Sequence, residues 1–365
     1  MYRMIRSTLF LVALAWAAGA HGEQPDEGIG WRFSGFGTVG AVVTDTDEIR
    51  FHSSTRQSHG AGTSPSLGVD SRLGLQANAT FNETFSAVGQ VLASRLDGGA
   101  TAQAEWLYGQ ANVAPWLKLR VGRMVLPVFL VSDSRNVGYA AHWVRAPSEV
   151  YGLYPASAFD GGQAEIRTGW RDTHVTLQAS AGTSKVDVHA FGFSSTEDLN
   201  NLYSLNLLVE HGDWTFRLGD TEGRNTEFTG NGFSLPAFTD SFRGAGIAYD
   251  NGRILAQAEY VIRRTSNDGG LDMDGYYVTV GFRHGAWTPY ATYSHYDPKG
   301  GLLFGQSSTR TFAAGLRWDA GRNVAVKAQV ESTQNNGLNF VNPSPESVPG
   351  AQKVNMFTLL VDFVF

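Results

Sequence analysis

Along most of the chain apolar and polar residues alternate with a period of two, and the alternation breaks at clusters of Gly, Asn, Asp and Pro. That period puts successive side chains on opposite faces of a strand. Sixteen segments carry it: 31–43, 69–80, 85–95, 102–112, 116–123, 158–168, 173–182, 199–210, 213–222, 241–249, 253–264, 273–283, 287–296, 308–318, 322–333 and 354–365. In 322–333 one face is Val324, Val326, Ala328 and Val330, and the other holds Asn323, Lys327, Gln329 and Glu331. The last strand runs to the final residue with Phe357, Leu359, Val361, Phe363 and Phe365 on one face. Such a face, ending on an aromatic, suits a strand whose outer side meets lipid.

The links alternate in length. Short ones fall at 81–84, 113–115, 169–172, 211–212, 250–252, 284–286 and 319–321, and mostly longer ones at 44–68, 124–157, 183–198, 223–240, 265–272, 297–307 and 334–353, with 96–101 the short exception. Short periplasmic turns against longer external loops are the layout of a bacterial outer-membrane barrel. The expected fold class is therefore all-β: one transmembrane antiparallel β-barrel of sixteen strands over residues 21–365. Segments 186–193 and 225–233 also alternate, so eighteen strands is the alternative count, which would suit a substrate-specific channel for anionic or sugar solutes. Past the N-terminus no apolar run approaches the roughly 20 residues of a spanning helix. A soluble sandwich or propeller would turn its polar residues outward instead.

At the N-terminus Arg3 and Arg6 precede the apolar run 9–18, and Ala18-Gly19-Ala20 supplies small residues for cleavage. This reads as a signal peptide over 1–20, hence as export through the periplasm. The remainder carries 26 basic and 34 acidic residues, a balance that argues against a nucleic-acid partner. The absence of cysteine suits passage through an oxidising periplasm, with stability drawn from closure of the barrel. Trp31, Phe85, Trp116, Trp214, Trp287, Trp318 and Phe365 stand near strand ends, where aromatics form interfacial girdles.

A barrel of this strand number is wide enough for an aqueous channel. The longest link, 124–157, opens with the apolar run Met124 to Val131 and continues through Tyr139, His142, Trp143, Tyr151 and Tyr154. It is too apolar for a solvated loop, and folding into the barrel mouth would bury it. An external lid or a trimer contact is the alternative use. Parity points Arg32, Arg72, Lys118, Arg120, Arg167, Arg217, Arg263, Arg283, Arg317 and Lys327 inward, against Glu105, Glu165, Glu210, Glu259, Glu331 and Asp362. In a narrow mouth such charge is poorly screened, so the excess of cations predicts a weak preference for anions.

Ser71-Arg72-Leu73-Gly74-Leu75 opening the second strand, Leu119-Arg120-Val121-Gly122-Arg123 ending the fifth, the long link after it and the terminal Phe365 are similar to the Gram-negative general porins. The resemblance implies a sixteen-stranded trimeric channel for passive diffusion of small hydrophilic solutes and ions, with its third external loop folded inward. It also implies that Arg72 and Arg123 belong to the constriction wall, and that Phe363 and Phe365 form the signal read by the barrel assembly machinery. The Pro-Glu-Phe-Gly-Gly signature of the enterobacterial loop is missing. The acids that stand in for it are Asp133, Glu149 and Asp160, with Arg145 in the unmatched segment 143–151. Outer-membrane lipid and lipopolysaccharide complete the expected partners.

A barrel enzyme is the third reading. The nine histidines fall mostly in links or at strand ends, without zinc-site spacing, and there is no Gly-x-Ser-x-Gly elbow. No cofactor is expected. The acidic segments 45–48 and 268–274 lack EF-hand spacing and read as solvated or lipopolysaccharide-bridging loops.

Overall fold

The computed structural model describes residues 28–96, 99–190, 193–230, 233–266, 271–300, 308–334, 339–341 and 353–365. The expected signal peptide and residues 268–270 of the acidic segment 268–274 lie outside these. In chain order the strands are β1 (Gly30–Thr44), β2 (Arg50–Phe51), β3 (Arg72–Thr80), β4 (Phe85–Arg95), β5 (Ala100–Ala114), β6 (Leu117–Val125), β7 (Ala158–Trp170), β8 (Thr173–Ala190) and β9 (Phe193–His211). They continue as β10 (Trp214–Gly230), β11 (Phe233–Asp250), β12 (Ile254–Thr265), β13 (Asp272–Phe282), β14 (Trp287–Gly300), β15 (Thr309–Gly321), β16 (Val324–Gln334), β17 (Phe340–Val341) and β18 (Lys353–Val364). All but β2 and β17 form one closed barrel in which sequential strands pair antiparallel, and β1 meets both β3 and β18. Sixteen strands therefore enclose the lumen, matching the expected count.

The eighteen-strand alternative is wrong, and so is the reading of 183–198 and 223–240 as loops. Segments 186–193 and 225–233 alternate because they continue existing strands. β8 stays paired with β9 out to Ala190 opposite Phe193, and β10 with β11 out to Gly230 opposite Phe233. Bulges at 182/184, 223/226 and 226/228 absorb the irregular residues without ending the ladder. These two hairpins make the wall taller on one side of the barrel.

Alternation separates lipid from lumen as expected. In β18 Phe357, Leu359 and Val361 are exposed on the outer face, whereas Thr358, Leu360 and Asp362 between them are buried. At the turn ends Trp31 stacks with Phe33, Trp214 with Phe216, and Trp287 with Trp318, building an exposed aromatic girdle. The barrel is closed by Gly35 and Phe365, whose backbones exchange bonds of 2.8 and 2.9 Å. The rings of Phe365 and Phe363 lie flat over Gly35 and Gly37, where a Cβ would meet ring carbon at 2.3 Å.

Inside the wall there is a second, apolar core. Met124, Leu126, Phe129, Trp143, Tyr151 and Tyr154 from the 124–157 link pack against Phe159, Phe242, Tyr277 and Tyr290 of the inner wall. Each large side chain so buried contributes about 1.5–3 kcal/mol, enough in sum to hold an otherwise irregular segment in place. The link between β1 and β3 also turns inward. β2 pairs with β17, and Ile49, Phe51 and Phe340 form a smaller cluster with Val42 and Met356. Val69 and Asp70, expected at the start of a strand, belong to this inward link.

Candidate functional site

The inward charges fall into two groups. Along β10–β18 they grip the 124–157 loop, mostly by its backbone. Arg217 donates to the Pro127 carbonyl at 2.6 Å, and Glu259 accepts from the Leu130 amide at 2.8 Å and from the Tyr151 and Tyr277 hydroxyls. Arg263 reaches the Leu153 carbonyl and is paired with Asp240 and Glu197. Arg317 donates to the carbonyls of Tyr139 and Ala141, at 2.7 and 2.6 Å. Lys327, fully buried, donates to those of Gly138 and Trp143 and pairs with Asp362 at 2.8 Å. The approach is close enough that a Cβ on Gly138 would fall 2.0 Å from Asp362 Oδ1.

Two loop residues expected in the channel belong to this anchoring group. Arg145 is buried, pairs with Asp70 at 2.7 Å and with Glu331, donates to Thr358, and lies over the Phe51 ring. Burial disfavours its charge, but Asp70 and Glu331 outweigh that and raise its pKa. Glu149, also buried, accepts from Ser294 at 2.8 Å and from Thr311. Their partners come from the wall and, for Arg145, also from the inward link between β1 and β3.

The second group, on β3–β7, faces the loop across open space. Lys118, Arg120 and Arg167 surround the buried carboxylate of Glu165 at 3.9, 3.2 and 2.7 Å. Arg120 is further held by Gln110 and Gln163, and its guanidinium lies 5.7 Å from the Tyr108 ring. Opposite stands Asp133, in the loop's short turn Ser132–Ser134, exposed to the lumen. Burial by the surrounding wall raises its pKa, and Arg120 is the largest charge working against that. Two residues on, Arg135 shares a cavity of about 140 Å³ with Arg56, Arg72 and Glu105. Glu105 pairs with Arg56 at 3.7 Å, and Arg72, opposite Thr38 and Ser94, has a buried Nε with no bonded partner among the described residues. Burial lowers the Arg135 pKa, with Glu105 the main opposing charge. A cavity of about 660 Å³ between Asp133, Arg167, Gln178 and Glu210 extends toward the periplasmic turns.

Arg123 and Asp160 lie elsewhere. Met124 and Phe159 take the inward positions, which turns Arg123 and Asp160 to the outer wall, where they pair with each other at 2.7 Å. Arg123 is registered opposite the exposed Leu107. The arginine carried over from the resemblance is thus displaced by one residue of strand register, which exchanges the faces. Arg32 is exposed near the start of β1, opposite Asn78 and close to the periplasmic turn. Phe363 and Phe365 sit on the closing seam described above. Asp45 and Asp47, in the first acidic segment, are engaged by Asn355 and by Thr63 and Arg50. Arg56 and Arg135 carry no motif and stand in irregular segments, so parity did not reach them.

A closed sixteen-strand barrel with a lipid-facing wall, a polar lumen and an inward loop is an outer-membrane channel. The family model described as Gram-negative porin matches residues 7–338, and the chain belongs to that family. The sequence matches no curated protein. Among solved structures it is similar to outer-membrane OmpT of Vibrio cholerae, with 14% identity over 94% of this chain and 99% of the other and a TM-score of 0.60. An anion-selective porin from Comamonas acidovorans matches with 12% identity, 92% and 100% coverage and a TM-score of 0.59. The outer-membrane channel DcaP of Acinetobacter baumannii matches with 10% identity, 94% and 99% coverage and a TM-score of 0.58.

Proposed function

We propose that the chain forms a water-filled channel for passive diffusion of small hydrophilic solutes and ions, constricted between the Ser132–Arg135 stretch of the loop and the β3–β7 wall, with a weak preference for anions. The observation that carries this is the charge of that gap. Among the described residues it holds six cations, Arg56, Arg72, Lys118, Arg120, Arg135 and Arg167, against the carboxylates of Glu105, Asp133 and Glu165. Low-dielectric walls focus this excess onto passing ions. Reversal potentials of the purified channel in a potassium chloride gradient test it. The expected result is chloride favoured over potassium; strong cation preference would overturn the reading.

The channel is further proposed to be a homotrimer, joined through the outer faces of β3–β8. There Ala77, Ala87, Gly89, Gly109, Ala111, Gly162 and Ala179 stand among the exposed Leu75, Val91, Leu107 and Val121, and the outward ion pair of Arg123 and Asp160 lies on the same face. A charged pair facing hydrocarbon is unfavourable, whereas a subunit contact accommodates it. OmpT of Vibrio cholerae has been described in a trimer form. Closure of single channels in three equal steps is the expected signature.

A further inference from the structure

On the periplasmic side of the proposed constriction, the register of β7–β10 lays out the inner wall row by row. Arg167, Thr176, Leu208 and Arg217 form one row across the four strands. In the next row toward the periplasmic turns His174 stands opposite Glu210, and in the next row away from them Gln178 stands opposite Asn206. The 124–157 loop covers this floor with Pro127, Leu130 and Asp133, and the space between is the cavity of about 660 Å³.

The cavity holds charges of both signs that do not meet. Arg167 pairs with Glu165 through Nε at 2.7 Å, and 56% of its side chain stays exposed. Asp133 and Glu210 are exposed and make no ion pair among the described residues. A guanidinium and two carboxylates that line one cavity without pairing stand more than about 4 Å apart. Arg217 cannot close the gap, because it is buried, packs against Gly219 and Gly244, and is held by the Pro127 carbonyl. A further acceptor is open in the wall: buried Asn206 gives Nδ2 to Gln178 at 3.0 Å, whereas its Oδ1 has no partner among the described residues.

We propose that this cavity seats zwitterionic solutes, amino acids or dipeptides, with the solute carboxylate on Arg167 and its ammonium between Asp133 and Glu210. The proposal rests on the channel function given above and names the solute class that binds beneath its constriction. Two strands and one row separate Arg167 from Glu210, roughly 12 Å between Cα atoms, which two long inward side chains reduce to the span of a small zwitterion. Guanidinium presents paired donors to a carboxylate. An ammonium has three donors and no acceptor, so it suits a site with two free carboxylates. Leu208, Pro127 and Leu130 offer an apolar side to the rest of the solute. A solute with one charge satisfies one end and leaves the other without a partner, which is the source of discrimination.

The test compares leucine with isocaproate and isoamylamine, which share its side chain but keep only the negative or only the positive charge. Each is added at neutral pH to the full-length protein in planar bilayers, and its block of the chloride current is read. Leucine is expected to halve the current at a concentration about tenfold lower than either analogue. Glu210→Gln should raise the half-blocking concentration of leucine about tenfold and leave that of isocaproate within about twofold. Arg167→Gln should weaken the block by leucine and isocaproate and spare that by isoamylamine. Circular dichroism shows whether each variant keeps its strands, and the comparison on the wild type needs no variant. Equal block by leucine and isocaproate overturns the proposal, since the cavity would then be a plain anion site. Equal block by leucine and isoamylamine, no block by leucine, or an undiminished block in folded Glu210→Gln overturns it too. In all of these the chloride current persists and the channel reading stands; absence of any current overturns the channel reading and this seat with it.

Discussion

Arg145 and Arg120 show how differently two arginines of one lumen can behave. Arg145 has carboxylates on two sides and an aromatic ring beneath it, so Arg145→Met leaves Asp70 and Glu331 buried without a counter-charge. Breaking a buried pair in this way costs about 3–5 kcal/mol. The expected outcome is a loop open to added protease and a larger, noisier conductance in planar bilayers. Arg120 is half-buried and borders open lumen. Arg120→Ala, and Arg72→Ala with it, should instead leave the loop protected and move the reversal potential toward potassium. Parity in the sequence correctly sent both Arg72 and Arg120 inward. The enclosure of Arg145 and Glu149 was not legible, because they stand in a link without a period and depend on Asp70, Ser294 and Thr311, up to 162 residues away. Arg123 was carried inward by the resemblance alone, whereas the parity of Lys118 and Arg120 turns it to the outer wall, one step of register away.

The 124–157 loop is the element packed inside the wall, and its apolar content alone marked it as buried. Its path was not legible, since an irregular segment has no period to read. His142 gives the docked loop a dependence on pH. Burial, and then the charges of Lys327, Arg283 and Arg317, lower its pKa to about 3, with Asp250 acting the other way. Undocked, the imidazole titrates near 6.5. The released loop therefore binds a proton that the docked loop refuses. Docking is at full strength above about pH 6.5 and weakens progressively as the pH falls toward 3, by at most ~1.4 kcal/mol per unit before screening by lumen water. Conductance noise and cleavage within the loop should rise between pH 7 and pH 4, and His142→Phe should flatten that rise. The tall hairpins were misread for a related reason: alternation identifies strand but gives no sign of where the membrane ends. Leu199, Phe228 and Phe238 of those hairpins pack onto the loop, so the extra height roofs it.

At the scale of the whole barrel, strand count, lipid-facing residues and girdle were legible because each rests on period-two patterning repeated around the ring. Closure rests on a few residues at the end. Deleting Phe365 removes both backbone bonds to Gly35 and the ring lying over it. Less barrel should reach the membrane, while barrels that do assemble keep wild-type conductance, because Phe365 bonds and covers Gly35 rather than any residue of the gap at Asp133. Surface yield and single-channel recording on the same preparation check this. The separation of the wall into a half that grips the loop and a half proposed to filter bears on how such a protein diversifies. In the proposed channel the cations of the β3–β7 wall touch few of the residues that hold the loop, so Arg72 can change in charge without releasing it, and Lys118, Arg120 and Arg167 can do so as long as one cation stays beside the buried Glu165. A lineage can therefore change its diet without rebuilding its pore.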